Sequence, residues 1–229
     1  MRGTLIFYVR KYRSEILLCS FIALILARPL ADRSPHIGGL LALVEVLLVL
    51  VAASYMANRR MIRLIVLPVT AIWLIARLLE ALGDSRHYYT HLAPVAGLAF
   101  SFTILWALLT RVHAVSRVTS SVISEAFISY LVIAIAFSQL YWMIDHLFGN
   151  PFRKAIPFGH ISAFLYFSMT TLSGLGYSDI IPENPYVRLL AGLENMIGIF
   201  YIAVVVARLI SSYRGRIKDD GEEPQGQQI

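Results

Sequence analysis

Apolar runs close to the length of a bilayer crossing recur along almost the whole chain, and they narrow its possible folds more than any other feature. Crossing the hydrocarbon layer takes roughly 20 apolar residues, and at that depth every backbone amide and carbonyl must be satisfied within the protein. Helices meet that demand because their backbone bonds are internal. The runs lie at about Ile16–Leu30, Ile37–Ala57, Met61–Leu82, Leu92–Val112, Val122–Leu147 and Tyr186–Ile210. With 58% hydrophobic and only 15% charged residues among 229, the composition is far more apolar than a soluble domain, whose apolar share is roughly 45 to 50%. The expected class is an all-α integral membrane protein with six transmembrane helices.

A formal net charge of +6 would suggest a nucleic-acid partner in a soluble protein, but here the basic residues cluster between the apolar runs. That placement reads as topology, with the lipid bilayer as partner and no nucleic acid. With the N-terminus inside, the cytoplasmic set is Arg2, Arg10, Lys11, Arg13, Arg59, Arg60, Arg63, Arg111, Arg117, Arg208, Arg214, Arg216 and Lys218. The outer set is smaller: Arg28, Arg33, Arg86, Arg153, Lys154 and Arg188, with Arg77 inside a span. The positive-inside rule then favours six crossings, a multi-pass protein of the cell (inner or plasma) membrane, and both termini in the cytoplasm. A basic start before Ile16–Leu30 also fits a signal peptide, yet Arg28 and Pro29 follow without a small-x-small cleavage site, so a signal anchor fits better. Cys19 lies inside an apolar run and is silent on redox compartment.

Between the fifth and sixth runs the pattern breaks. The loop GNPFRKAIPFG, residues 149–159, is too rich in glycine and proline for an embedded helix. His160–Leu172 is too short to span and too apolar for an ordinary loop, so it reads as a re-entrant helix. Five residues follow, Gly174 to Ser178, containing two glycines, and then Asp179. Backbone carbonyls can replace a cation's hydration shell only where successive peptide groups leave ordinary L-residue space, a freedom glycine supplies. The chain thus divides into a four-span unit at 1–113, a linker at 114–121, a pore-like unit at 122–213 and a polar tail at 214–229 expected to be disordered.

Residues 170–180, TTLSGLGYSDI, resemble the selectivity filter of the bacterial six-span potassium-channel-like family, within the tetrameric potassium channel superfamily, which commonly reads TTLTTLGYGDI. Gly176, Tyr177 and Asp179 match, Ser173 is a mild change, Gly174 replaces a threonine and Ser178 replaces the last glycine. The resemblance covers roughly the last hundred residues, since the first four spans match only in number and placement. It implies that Ser173, Gly174, Leu175, Gly176, Tyr177 and Ser178 hold a permeant cation. Tyr166, Phe167, Thr170, Thr171, Asp179 and Glu194 would support that filter. It further implies a homotetramer, because one chain carries one filter segment and a ring needs four. Potassium would be the permeant ion. Loss of the threonine hydroxyl at Gly174 and a side chain at Ser178 would relax discrimination against sodium. No other cofactor and no enzymatic activity are implied.

By the same resemblance Gly198 occupies the inner-helix hinge position, nineteen residues beyond Asp179, against the alternative of a packing glycine. On that register Ile199, Ile202, Val206 and Ile210 share one face, line the cavity and gate by dewetting. Glu194 falls off that face, so this intramembrane acid is expected behind the filter, hydrogen-bonded to the pore helix or a neighbour. Asp145, Asp179 and Glu183 lie near the outer mouth, where their charge would concentrate cations. Glu45 and Arg77, with Glu80 in reach, make a plausible ion pair within the four-span unit. Leu92–Thr110 carries no arginine, so voltage is expected to act weakly or not at all. Competing readings are a secondary ion transporter, disfavoured because no inverted repeat is evident, and a non-conducting channel-like regulatory subunit. His87 and His91 have zinc-ligand spacing, but no third ligand accompanies them, so surface histidines are the better reading.

Overall fold

The computed structural model describes residues 13–31, 41, 44, 68–76, 92–114, 119–149, 151–154, 161–177 and 179–221. Five helices organise them: α1 (Arg13–Ala31), α2 (Leu92–Ala114), α3 (Ser120–Phe148), α4 (Ile161–Leu172) and α5 (Pro185–Gly221). Residues 68–76 are also helical. α1 to α4 each start and end within a few residues of their apolar runs, as expected where the run itself sets the length; α5 starts with its run and continues beyond it. Among the described residues two helices are long and apolar enough to cross a membrane, Ser120–Phe148 and Pro185–Arg208; Val95–Thr110 and Ile161–Leu172 are shorter apolar helices. Most of the second run, the Glu45, Arg77 and Glu80 grouping, His87, His91, Arg117 and Ser178 lie outside the described residues.

α3 is the hub. Towards its N-terminal end Ile128 and Val132 join Leu17 of α1 and Ile104, Ala107 and Leu108 of α2 in one buried cluster. Farther along, Ile133 and Ala134 pack on Leu172 at the end of α4. At its C-terminal end Tyr141 enters a second cluster with Phe152, Ala163, Phe164, Phe167, Ile180 and Val187. This cluster is largely aromatic: the Phe167 ring lies 5.0 Å from Tyr141 and 5.7 Å from Phe152, both edge-on. Such pairs add roughly 0.5–1.5 kcal/mol beyond the area they bury. They fix α4 against α3 over its whole length.

Polar ties lock the other end of α3 to α1. Ser14 donates to Glu125 at 3.3 Å and Ser120 donates to Glu15 at 2.9 Å, joining residues more than a hundred positions apart. Both pairs sit within the first two turns of their helices, so the two helix starts are held side by side.

The fold is mostly helical, with one short strand pairing added: β1 (Phe152–Lys154) pairs antiparallel with β2 (Ile180–Pro182), with Arg153 opposite Ile181. β-branched Ile180 and Ile181 favour extended backbone, and burial of Phe152 and Ile180 in the aromatic cluster fixes the register. α5 continues as helix to Gly221. An established helix propagates far more easily than it nucleates, and no proline intervenes before Pro224.

Candidate functional site

The site is built on the C-terminal end of α4. A helix leaves its last carbonyls without internal partners, and here the following turn supplies them. The Ser173 amide donates to the Met169 carbonyl at 3.1 Å and the Gly174 amide to Thr171 at 3.0 Å. The Leu175 and Gly176 amides both turn back onto the Thr170 carbonyl, at 2.9 and 3.2 Å. That reversal is possible because Gly174 and Gly176 have φ of 77° and 55°. Both values lie in the left-handed region that costs other residues roughly 1 kcal/mol or more.

The consequence concerns carbonyl direction. No peptide bond here is cis, and in a trans peptide the N–H and C=O point opposite ways. With the Leu175 and Gly176 amides aimed at α4, the carbonyls of Gly174 and Leu175 aim away from it. Residues 173–177 are all exposed in the single chain. The turn therefore presents consecutive backbone oxygens outward from a helix-anchored base, an arrangement suited to replacing water around a cation.

The last carbonyls of α4 carry the negative end of its dipole. They are not left bare towards a cavity: they accept the amides of the turn, the Ser173 hydroxyl at 3.2 Å on Thr170, and the Asn195 side chain at 2.8 Å on Thr171. Their negative potential is spent on holding the turn in place.

Glu194 completes the support. It is fully buried, accepts a 2.7 Å hydrogen bond from the Tyr141 hydroxyl of α3 and also accepts from Ser168 of α4. Ser168 in turn contacts the Ala134 carbonyl at 2.9 Å. One carboxyl thus joins α3, α4 and α5 directly behind the turn. A buried carboxyl is costly unless hydrogen-bonded, so this network is a structural commitment. Gly198, one turn farther on, touches α4 even more closely. A Cβ there would sit 1.9 Å from the Leu172 carbonyl oxygen and 2.8 Å from its carbon. Such contact by itself accounts for glycine at 198, whatever bending the helix undergoes.

The remaining expected residues divide. Phe167 and Thr170 are buried, with the Thr170 hydroxyl donating to the Phe167 carbonyl at 2.9 Å; Thr171 contributes its carbonyl. Tyr166 is exposed on α4 and stacks on Tyr177 at 6.2 Å, with their planes 7° apart. Asp179 accepts the Ile180 amide at 3.1 Å, at the start of β2. Ile199, Ile202 and Val206 are exposed along α5, and Ile210 lies on the same helix with its side chain outside the described residues. Glu183 faces Arg153 at 3.6 Å on the surface, so its charge is partly offset rather than standing alone at the mouth. Asn195, Ser168 and Tyr141 were not legible as support residues. The usable signal was the presence of Ser168 and Asn195 within apolar runs, where polar side chains need a partner.

Residues 127–214 match the family model described as an ion channel, a stretch that begins in α3 and ends in α5. No curated protein and no solved structure matches the chain. The part of the chain that carries the whole site, from the outer helix through the glycine turn to the inner helix, is therefore similar to an ion channel domain.

Proposed function

We propose that this chain is a potassium-permeable channel subunit. Four copies would place Gly174–Tyr177 around a common axis, in a cell membrane crossed six times by each subunit with both termini in the cytoplasm. The observation that carries the reading is the pair of left-handed glycines turning the Leu175 and Gly176 amides onto Thr170, which sends the intervening carbonyls outward in series. A ring of such carbonyls coordinates a dehydrated monovalent cation.

Ser173 through Ser178 form the conduction path in this reading, and Gly174 in place of a threonine removes one hydroxyl from its inner end. Discrimination between potassium and sodium is accordingly relaxed. Ile199, Ile202, Val206 and Ile210 line the cavity beneath, where the narrowest apolar ring gates by dewetting. Voltage acts weakly or not at all, since Leu92–Thr110 carries no arginine.

Vesicles loaded with potassium and containing the purified full chain test this. Potassium efflux that exceeds sodium efflux from matched vesicles supports the reading, and efflux no faster than from empty vesicles rules it out. Flux that saturates and requires a counter-ion gradient would instead indicate a coupled transporter.

A further inference from the structure

Asn195 belongs to two faces of α5 at once. Successive helix residues turn by about 100°, so Ile199, Ile202 and Val206 stand about 40°, 20° and 20° around the helix from Asn195. Asn195 therefore continues their stripe to the level of the glycine turn. Glu194 and Gly198, which meet α4, stand about 100° and 60° to one side. The asparagine lies on the boundary between the attached face and the face that the pore reading turns towards the axis, and it is half-buried.

Its contacts are with the turn itself. The side-chain nitrogen donates to the Thr171 carbonyl at 2.8 Å, the same oxygen that accepts the Gly174 amide. Among the described residues that nitrogen is also the one atom within 4 Å of where a Cβ on Gly174 would stand, at 3.4 Å. A carbonyl oxygen only accepts, so the amide has to present Nδ2 to it, and the orientation of the planar group is settled. Oδ1 is left as the free end of a side chain whose other end is fixed. Among the described residues it accepts no hydrogen bond. Gly174 brings no side chain to this level, and the place beside it is filled from α5.

We propose that Asn195 is a specificity-determining residue of the conduction path, with its Oδ1, one from each copy, coordinating a partly hydrated monovalent cation at the inner end of the glycine turn. This rests on the pore reading above. A polar side chain with an unused acceptor is costly at membrane depth unless it meets water, an ion or a partner, and an ion shedding water needs such oxygens. The bond to Thr171 positions the group and the oxygen supplies the ligand. Cations coming along the Ile199, Ile202 and Val206 stripe would meet it before the backbone oxygens of the turn.

Two variants of the purified full chain separate a ligand from a brace. Asn195→Leu keeps the volume and removes both polar atoms, whereas Asn195→Asp keeps an oxygen in place and removes the donor to Thr171. Thermal unfolding in potassium chloride against N-methylglucamine chloride reads ion binding without any current. Potassium should raise the midpoint of the unchanged chain, as a ligand of the folded state does. Asn195→Leu should shrink that rise and lower the ratio of potassium to sodium efflux from vesicles about threefold, within the effect of a single polar contact. Asn195→Asp should keep or enlarge the rise, because the oxygen remains and gains charge. Equal losses in the two variants would overturn the proposal, since both lack the donor and only a brace would be missing. So would a rise and an efflux ratio that neither variant moves, or an unchanged chain that potassium does not stabilise. A potassium rise lost in Asn195→Leu and kept in Asn195→Asp, in a chain without efflux, supports this ligand and counts against conduction alone. Efflux with a ratio and a rise indifferent to both variants counts against this ligand alone.

Discussion

Among the described residues, the two helices long and apolar enough to cross a membrane are treated very differently by their own chain. In α3, 56% of the most apolar stretch is buried against α1, α2 and α4, whereas in α5 the share is 11%. Both are comparably apolar, so hydrophobicity does not separate them. Partners do. α3 is finished by its own chain, and its packing explains where α1, α2 and α4 sit. α5 is attached through Val187 in the aromatic cluster and beyond it along one narrow stripe, Glu194, Asn195, Gly198 and Tyr201, near the i, i+4, i+7 spacing of a single helix face. Much of the rest, including Leu189, Leu193, Ile199, Phe200 and Val204, is exposed apolar surface in the single chain.

That contrast places the vulnerable positions of α5 on the stripe and predicts tolerance elsewhere. The sharpest test is Gly198→Ala. A methyl 1.9 Å from a backbone oxygen cannot be accommodated by rotating a side chain, so α5 must lift from α4. A loss of about 3 kcal/mol and of ion flux is expected, read by thermal unfolding and vesicle efflux. Gly192→Ala is its control, with nothing within 4 Å of the added carbon, and should be neutral or slightly stabilising. If both behave alike, the stripe is not what holds α5.

Next comes Glu194→Ala, which leaves the Tyr141 and Ser168 hydroxyls facing an unfilled space and should cost about 2 kcal/mol in the same unfolding assay. Glu194→Gln keeps an acceptor oxygen and should cost visibly less. An equal loss for both would show that the carboxylate charge, not the network, is what matters. Gly176→Ala acts differently: space is open around it but φ is 55°, so about 1 kcal/mol of backbone strain falls on the turn alone. The expected outcome is a shifted ratio of sodium to potassium flux with nearly unchanged unfolding. Smallest is Glu183→Gln, which breaks only an exposed pair with Arg153 and should move stability by less than about 0.5 kcal/mol.

The same contrast explains what the sequence could and could not convey. Apolar run lengths are set by bilayer thickness, a strong constraint, so the limits of α1, α3 and α4 were readable almost to the residue. The glycine turn was readable because left-handed backbone leaves few alternatives at 174 and 176. The stripe on α5 was read only in part. Glu194 stood out as an ionisable residue in an apolar run, but Asn195 contributes through a single side-chain bond to Thr171, and its partner lies 24 positions away. Gly198 could be read as a hinge or as a packing contact from sequence alone, since both need a missing side chain. Only the position of the Leu172 carbonyl reveals the contact. The β1–β2 pairing was hidden for a related reason: three residues on each side are too short a pattern to register against a Gly/Pro-bearing loop.

What remains most exposed to test is the claim that the outward carbonyls of Gly174 and Leu175, repeated by four copies, conduct potassium. Single-channel recording of the purified chain in a planar bilayer, with potassium on one side and sodium on the other, addresses it directly. Discrete unitary currents reversing on the potassium-selective side of zero are predicted, with an offset smaller than perfect selectivity would give. Currents reversing at zero would contradict potassium preference, and an absence of unitary currents would contradict the pore itself.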